Sequence, residues 1–297
     1  MPHIPVLLKE VLSGLEIRSG ETVLDATLGG GGHSTAICEI IGSGGTLVGL
    51  DQDSGALAAA KERLEKGACT VQLAQENFRD LDKALDKFGI GEIDKALFDL
   101  GMGTHQLEGS GRGFSFQKDE PLIMTFDPHP TENDLTAREI VNNWDEENIA
   151  DILYGYGGER FARRIAKGIA KARKEGPIER TSELVEIIKK SVPAFYRKGK
   201  THPATKTFQA LRITANDEIG SLKEGLGKAL RRLKKGGRVA VISFHSIEDR
   251  IVKIFFKEEA KSGEYKIITK KPIAPSRGEI AENPRARSAK LRIIEHI

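Results

Sequence analysis

The chain has 297 residues, a formal net charge of +3 at pH 7 and a hydrophobic content of 39%. This length corresponds to about two average domains and allows a substantial core. The sequence has no basic segment followed by an apolar run at its N-terminus and no run of 18 apolar residues, so we expect a soluble, cytoplasmic protein and exclude secretion and membrane spanning.

Cys38 and Cys69 are the two cysteines of the chain. Their spacing matches neither a paired-thiol motif nor a zinc site. We therefore expect both thiols to be reduced and packed, with no disulfide between them.

Strand and helix patterns alternate over the first hundred residues, which predicts an α/β fold with a doubly wound parallel sheet. Helical spacing without a convincing strand follows, and alternation then resumes. The predicted domains are 1–104 with 206–297 for the sheet, and 105–205 for an inserted all-helical domain. Strands are predicted near 22–28, 46–51, 69–74, 94–100, 238–244, 265–271 and 289–295, and helices near 33–42, 54–66, 78–88, 205–233 and 247–260.

Four glycines at positions 29–32 follow the first strand, and Asp51 ends the second. A glycine turn leading into a helix, with a carboxylate about 20 residues later, is typical of a pocket for a nucleoside cofactor. The G-x-G-x-x-G pattern of dinucleotide sites lacks its third glycine, because Ser34 or Thr35 stands there. Asp25, beside the loop, would repel a phosphate and attract a cation. The loop thus favours S-adenosylmethionine, which is cationic, over a pyrophosphate.

Ligands of open α/β sheets bind beyond the carboxyl ends of the strands. Phe78 follows the third strand and is a candidate to contact an adenine, although a core position is the more common one for such a residue. Asp99 ends the fourth strand, where a carboxylate could accept the hydrogens of a nucleobase amine and aim the nitrogen lone pair at a methyl donor. Its alternative role is to cap the following loop.

Basic residues recur at helical spacing from Arg160 to Lys174, opposite an apolar stripe. A second basic cluster at 196–200 includes a tyrosine. Each cluster alone is compatible with a solvated surface, but together they favour a polyanionic partner.

The chain resembles, almost from end to end, the bacterial family of small-subunit (16S) ribosomal RNA methyltransferases that modify the exocyclic N4 of a cytosine in the decoding region. Each motif is weak alone, and their order is highly specific. The motifs are HIPVLL at 3–8 with Glu10, DATLGGGGHS at 25–34, DLG at 99–101, RGFSF at 112–116, HPAT at 202–205, TFQALRI at 207–213, NDE at 216–218, SFHS at 243–246 with EDR at 248–250, and NPRARSAKLR at 283–292.

The resemblance implies a Rossmann-like, S-adenosylmethionine-dependent methyltransferase sheet interrupted by a helical domain that binds RNA, a partner copy of the chain, or both. The substrate would be 16S rRNA or the small ribosomal subunit. Asp99 and His245 are the expected catalytic residues, His245 as a hydrogen-bonding partner of the RNA or the base. The cofactor residues carried over are Gly31, Gly32, His33, Asp51, Phe78, Asp99 and Gln106.

No metal is expected, because His245 and Asp249 supply only two ligands and methyl transfer from a sulfonium needs no Lewis acid. Phe114, Phe116 and Phe244 are the candidates to stack on the cytosine. The chain departs from the family pattern at 102–105 and at 122–127, where an acid and an arginine are missing. Two alternatives stay open: a nicotinamide-dependent oxidoreductase, and a non-catalytic RNA-binding or ribosome-assembly factor that retains the pocket.

Overall fold

The computed structural model describes residues 4–101, 110–131 and 134–297. The chain divides into two compact units. The first, called the sheet unit here, contains Met1–Gly101 and Ile219–Ile297. The second, called the helical unit, contains Met102–Glu218.

A seven-stranded sheet of order β3-β2-β1-β4-β5-β7-β6 forms the centre of the sheet unit. The strands β1 to β5 run parallel, whereas β7 is antiparallel to both β5 and β6. This arrangement confirms the predicted α/β fold class. The strands are β1 Thr22–Asp25, β2 Thr46–Asp51, β3 Thr70–Gln75, β4 Ile93–Asp99, β5 Leu233–Ser243, β6 Tyr265–Ile267 and β7 Lys290–His296.

The helices of the described residues are numbered through both units. They are α1 Leu8–Leu15, α2 Gly32–Ile41, α3 Ser54–Leu64, α4 Leu81–Lys87, α5 Ala137–Asn143, α6 Glu146–Gly155, α7 Ala162–Ala172, α8 Thr181–Ser191, α9 Ala194–Arg197, α10 Thr205–Ala215, α11 Glu218–Arg231, α12 Ser246–Glu259 and α13 Arg277–Glu282. None of them is long and apolar enough to cross a membrane.

Both faces of the sheet are covered by helices, which explains why its central strands are apolar on both sides. Val23 points to the face covered by α1, α2 and α3, where a buried cluster includes Val11 and Ile37. Leu24, the next residue, points to the opposite face and packs in a cluster with residues of α4, α11 and α12. The alternation follows from the two-residue period of a strand.

The helical unit has its own buried cluster, built from α5 to α8 and α10. Segment 122–127, where the chain departs from the family pattern, contributes Leu122 and Met124, both fully buried. Arg112 donates to the carbonyl oxygens of Thr125 and Phe126 at 3.0 and 2.6 Å. The departing segment is therefore part of the core of the helical unit and is held by backbone hydrogen bonds.

The prediction of a single helix over 205–233 is wrong, because a turn separates α10 from α11. Asp217 has a left-handed backbone, with φ of 42°, which an α-helix cannot include. Arg212 donates to both carboxylate oxygens of Glu218, at 2.7 and 2.9 Å, across the break. The apolar spacing continues through this point, so periodicity alone did not indicate the turn.

The expectation of two reduced cysteines is also wrong, because Cys38 and Cys69 form a disulfide. Cys38 lies in α2, and Cys69 immediately precedes β3. The fold brings their Cα atoms to 5.3 Å, within the span of a disulfide. Their separation of 31 residues in the chain carries no information about this distance.

Candidate functional site

The glycine loop between β1 and α2 is held by the carboxylate of Asp51. Gly29 and Gly31 have φ of 50° and 72°, a conformation that glycine adopts without strain. The N–H of Gly29 donates to Asp51 Oδ2 at 2.8 Å, and the N–H of Asp53 donates to Asp51 Oδ1 at 2.9 Å. Asp51 thus joins the loop after β1 to the end of β2.

This loop lies at the point where the strand order of the sheet reverses. β1 pairs with β2 on one side and with β4 on the other. A crevice opens beyond the carboxyl ends of the strands at such a switch point. Asp51 ends β2 and Asp99 ends β4. The sheet therefore brings these two carboxylates to the same edge as the glycine loop.

The individual glycines of the loop have different surroundings. A Cβ added at Gly30 would meet no atom within 4 Å. A Cβ added at Gly31 would lie 3.2 Å from Ala60 Cβ, and one at Gly32 would lie 3.4 Å from Pro5. Packing and backbone conformation thus restrict Gly31, the Pro5 contact at Gly32 is an ordinary one, and Gly30 borders open space in which a ligand can approach the backbone.

The backbone and side chain of Asp99 are held by neighbouring loop residues. Its N–H donates to Thr27 Oγ1 at 2.6 Å, and its Oδ1 accepts the N–H of Gly101 at 3.2 Å. The side chain keeps 16% of its surface exposed. Asp99 therefore caps the following loop, as the alternative interpretation predicted, and still presents part of its carboxylate at the edge of the sheet.

His33 lies behind Asp99 and is almost fully buried. Its Nε2 lies 2.9 Å from the carbonyl oxygen of Val6, and its Nδ1 lies 3.5 Å from Asp99 Oδ2. A carbonyl oxygen can only accept a hydrogen bond, so Nε2 carries a hydrogen. The other ring nitrogen, Nδ1, faces the carboxylate of Asp99.

Asp25 is a second buried carboxylate near this site, with 1% of its surface exposed. Its Oδ2 accepts the hydroxyl of Ser34 at 2.6 Å, and its Oδ1 accepts the N–H of Thr27 at 3.2 Å. Burial raises the pKa of Asp25 above its ordinary value, against the opposing effects of Ser34 and His33. Asp25 therefore fixes the strand, the loop and the helix to one another.

The two aromatic candidates of the sheet unit differ in position. Phe78 makes an edge-to-face contact with Phe98, with ring centroids 5.7 Å apart, and packs against the core. A Cβ added at Gly101 would lie 2.8 Å from the ring of Phe244 and 3.1 Å from Asp99 Oδ1. Phe244 and Asp99 thus meet at Gly101, whereas Phe78 has the core contacts of a structural residue.

His245 begins α12 and serves as its N-cap. The N–H of Glu248 donates to His245 Nδ1 at 3.3 Å, and Glu248 Oε2 accepts the N–H groups of Phe244 and His245. His245 Nε2 lies 2.9 Å from Glu248 Oε1 without the alignment of a hydrogen bond. Asp249 pairs instead with Arg292 and Lys290, at 2.7 and 3.0 Å.

The remaining predicted site residues belong to the other unit or lie outside the described residues. Gln106 lies in the undescribed segment 102–109. Phe114 is buried in the helical unit and stacks on Phe126. Phe116 stacks on His202 with ring centroids 4.4 Å apart.

Sequence reasoning did not identify the contribution of Thr27. Its hydroxyl accepts the N–H of Asp99, which lies 72 residues later in the chain. A small hydroxyl residue directly after a buried strand, two residues from an aspartate, was the available signal. The pairing partner could be identified only from the position of β4 beside β1.

Comparison with known proteins shows close relatives over the whole length of the chain. A ribosomal RNA small subunit methyltransferase H from Heliobacterium mobile is 47% identical, over 99% of this chain and 99% of that protein. Its counterpart from Heliobacterium modesticaldum is 48% identical, over 99% of this chain and 98% of that protein.

A solved structure supports the fold assignment. A crystal structure from Clostridium thermocellum, described as that of an rRNA methylase, superimposes with a TM-score of 0.50 and 14% identity, over 99% of this chain and 100% of that chain. At this identity the likeness shows a common fold.

The sequence profile described as the MraW methylase family matches residues 1–297, the full chain. This match agrees with the glycine loop and the two carboxylates at the switch point of the sheet. The chain therefore belongs to the MraW methylase family and is an S-adenosylmethionine-dependent methyltransferase.

Proposed function

We propose that the protein transfers a methyl group from S-adenosylmethionine to the exocyclic N4 of a cytosine in the decoding region of 16S ribosomal RNA. The observation that carries the proposal is Asp99, a braced carboxylate at the switch point with 16% of its side chain exposed. The relatives named ribosomal RNA small subunit methyltransferase H support the class of substrate.

The residues of the glycine loop fit the proposed cofactor. Gly30 borders open space, so the cofactor can lie against the loop backbone without a side chain in between. Asp51 ends β2 beside the glycine loop, where a carboxylate can accept the two hydroxyls of a ribose. We propose Gly31, Gly32, His33, Phe78 and Gln106 as further cofactor residues, the glycines and His33 through the shape of the loop. When bound, S-adenosylmethionine supplies an electrophilic methyl group on a sulfonium.

In our proposal Asp99 orients the nucleophile. The amine of cytosine is conjugated with the ring and is therefore a poor nucleophile. A carboxylate that accepts the amine hydrogens favours a pyramidal nitrogen and aims its lone pair at the methyl carbon. A new N–C bond forms while the C–S bond breaks, and the electron pair of that bond goes to sulfur. Phe244, which meets Asp99 at Gly101, is the proposed stacking partner of the base.

His33 is the proposed acceptor of the proton that the nitrogen loses. After the methyl group is transferred, the nitrogen carries an extra hydrogen, and Asp99 is within its reach. Asp99 Oδ2 lies 3.5 Å from His33 Nδ1, so a proton that reaches Asp99 has the ring of His33 next to it. His245 is proposed to act through its neighbours. Its ring accepts the N–H of Glu248 at the start of α12, and the carboxylate of Glu248 in turn accepts the N–H of Phe244.

The helical unit is the proposed RNA-binding part of the enzyme, in line with the predicted insert 105–205. A ribosomal substrate implies that the protein works in the cytoplasm. Whether two copies associate through this unit stays a prediction. Membership in a methylase family does not favour the nicotinamide-dependent oxidoreductase, and the non-catalytic assembly factor is tested by turnover.

Two measurements test this function at the level of ligand and reaction. Thermal unfolding is followed with S-adenosylmethionine and with NAD, since a ligand raises the midpoint only if it binds the native state. We expect stabilisation by S-adenosylmethionine alone. Stabilisation by NAD would support the oxidoreductase. Binding of S-adenosylmethionine with no methyl transfer to small ribosomal subunits in a single turnover would support the assembly factor.

A further inference from the structure

Three aromatic side chains of the helical unit converge on one arginine. The guanidinium of Arg160 lies 4.9 Å from the ring centroid of Phe161, 5.3 Å from that of Phe195 and 4.9 Å from that of Tyr196. The rings of Phe161 and Tyr196 meet edge to face at 5.0 Å. We call these four residues the aromatic platform.

A buried carboxylate holds the platform in place. Glu159 is fully buried and accepts the hydroxyl of Tyr196 at 2.6 Å and the N–H of Phe161 at 2.8 Å. Burial raises the pKa of Tyr196, and the hydrogen bond to Glu159 raises it further, so Tyr196 keeps its hydroxyl hydrogen and the bond persists. These bonds hold the ring of Tyr196 and the backbone of Phe161 in place before any ligand arrives.

The platform remains open to solvent at Phe195, which has 64% of its surface exposed. Aromatic rings that are grouped beside a cation and reach the solvent often mark an interaction surface. The planar guanidinium of Arg160 lies beside the exposed ring of Phe195. Both groups can stack on a nucleobase.

The surroundings of the platform carry one sign of charge. No acidic residue occurs between Glu159 and Glu175, or between Glu186 and Asp217. Among the residues that the structure describes, the exposed basic residues nearest in sequence to the platform have no carboxylate within ion-pair distance. They are Arg160, Arg163, Arg164, Lys167, Arg197, Lys198 and Lys200.

We propose that the aromatic platform binds an unpaired segment of the RNA substrate, with at least one base stacked on Phe195 and Arg160 and the phosphates near Arg163, Arg164 and Lys167. This inference rests on the proposed function and names the part of the helical unit that holds the RNA. Phosphates are attracted by the unpaired cations, and aromatic rings are attracted by the exposed faces of bases.

The combination favours an unpaired strand over other partners. Bases in a duplex are stacked on each other and hide their faces, so a ring such as Phe195 contributes nothing to their binding. A protein partner would need acidic and apolar groups in one patch. We treat duplex RNA and a second copy of the chain as outcomes of the test.

The test measures binding of a fluorescein-labelled single-stranded oligoribonucleotide to the full chain by fluorescence anisotropy. Phe195→Ala is expected to weaken binding about 5- to 100-fold, the loss typical of one stacked base. Phe195→Tyr keeps a ring and is expected to bind within about twofold of the wild type, since stacking tolerates any aromatic ring. Because Phe195 is exposed, both variants are expected to fold, which thermal unfolding checks.

A matched control is Tyr154→Ala. Tyr154 is an aromatic residue of the same unit with 71% of its surface exposed, and it makes no ring contact with the platform among the described residues. We expect unchanged RNA binding. A second variant, Arg160→Lys, keeps the charge and removes the plane, and is expected to lose affinity for the single strand.

Three results would overturn the proposal. The first is equal loss of affinity for single-stranded RNA in Phe195→Ala and Tyr154→Ala. The second is equal dependence of duplex binding on Phe195. The third is unchanged binding of single-stranded RNA in Phe195→Ala, and if sedimentation also shows that a dimer dissociates in this variant, the platform joins two copies of the chain. If RNA binding depends on Phe195 while the wild type transfers no methyl group to ribosomal RNA, the docking surface stands and the proposed reaction fails.

Discussion

Asp99 uses its two carboxylate oxygens for different contacts. Its Oδ1 accepts the N–H of Gly101, and its Oδ2 faces His33. The first contact fixes the side chain, and the second offers a site for a proton. A residue that is braced in this way can orient a substrate amine without losing conformational freedom during the reaction.

Asp99→Asn tests the orientation directly. The amide keeps the size of the side chain but replaces one acceptor oxygen by a donor, which repels the amine hydrogens. We expect the rate of methyl transfer to fall by about 10²–10³-fold, as for the loss of other oriented polar groups. The affinity for S-adenosylmethionine, measured by calorimetry, is expected to stay within about threefold, which corresponds to less than about 1 kcal/mol.

A matched comparison is His33→Asn. If His33 accepts the released proton, its variant lowers the rate of methyl transfer while the affinity for S-adenosylmethionine stays within about threefold. A loss of stability and of cofactor affinity in His33→Asn, in place of a loss of rate alone, would assign His33 to loop packing. A full rate in Asp99→Asn would remove Asp99 from the reaction.

Asp25 makes the stability of the protein depend on pH. Its folded pKa is raised, mainly by burial, above the ordinary value of 3.8, so the native state binds the proton more tightly than the unfolded state. The free energy of unfolding therefore falls as the pH rises from about 4 through the folded pKa. Asp25→Asn is expected to remove this part of the slope, measured by urea unfolding at a series of pH values.

Asp249→Asn is the comparison in which the dependence of stability on pH runs in the opposite direction. Burial alone would raise the pKa of Asp249, but its bonds to Arg292 and Lys290 outweigh burial and lower it. Its contribution to stability is present above the ordinary pKa and is lost as the pH falls through the folded one. At neutral pH the variant leaves Arg292 buried and poorly paired, at a cost of about 3–5 kcal/mol. Equal pH slopes in both variants would contradict these assignments.

At the scale of elements, the glycine loop contains one position that is restricted by packing and another that is open to a ligand. Gly31→Ala adds a Cβ 3.2 Å from Ala60 at a φ of 72°, so we expect a loss of about 1–2 kcal/mol of stability. Gly30→Ala adds a Cβ in open space. Stability should be unchanged, while S-adenosylmethionine binds at least about tenfold more weakly. Urea unfolding measures the stability, and calorimetry measures the affinity for S-adenosylmethionine. Unchanged affinity in Gly30→Ala would show that the cofactor does not lie against this loop.

Local patterns predicted most elements of the sheet unit. The predicted strands 46–51 and 94–100 match Thr46–Asp51 and Ile93–Asp99 within a residue, because a short apolar run between turns is encoded locally. The break at Asp217 was missed because the apolar spacing continues across it. The order of the strands, and hence the meeting of Asp51 and Asp99 at one edge, followed from the rule for parallel sheets rather than from any single residue.

The parts that could not be predicted depend on contacts between distant residues. The disulfide requires that α2 and the start of β3 lie side by side. The bond from Tyr196 to Glu159 joins residues 37 apart in the chain. His245 was expected to act on the RNA or the base, but its nearest partners are the backbone and side chain of Glu248. A histidine after a strand has the same local signal in both roles.

At the scale of the whole molecule, the small net charge does not reflect a local excess of positive charge. The net charge is +3, yet the acid-free stretches around Arg160 and Phe195 lie within one unit. The proposed chemistry of methyl transfer involves residues of the sheet unit, and the proposed contacts with RNA involve residues of the helical unit. Each unit has its own buried core, so each can be altered without removing the core of the other.

The most direct measurement is the identity of the modified nucleoside. Small ribosomal subunits from cells lacking this protein are incubated with the purified chain and S-adenosylmethionine that carries a deuterated methyl group, and the RNA is then digested for mass spectrometry. We expect one labelled N4-methylcytidine per subunit with the wild type and almost none with Asp99→Asn. A label on carbon 5, on a ribose hydroxyl or on another base, or no label at all, would refute the assignment of this enzyme to cytosine N4.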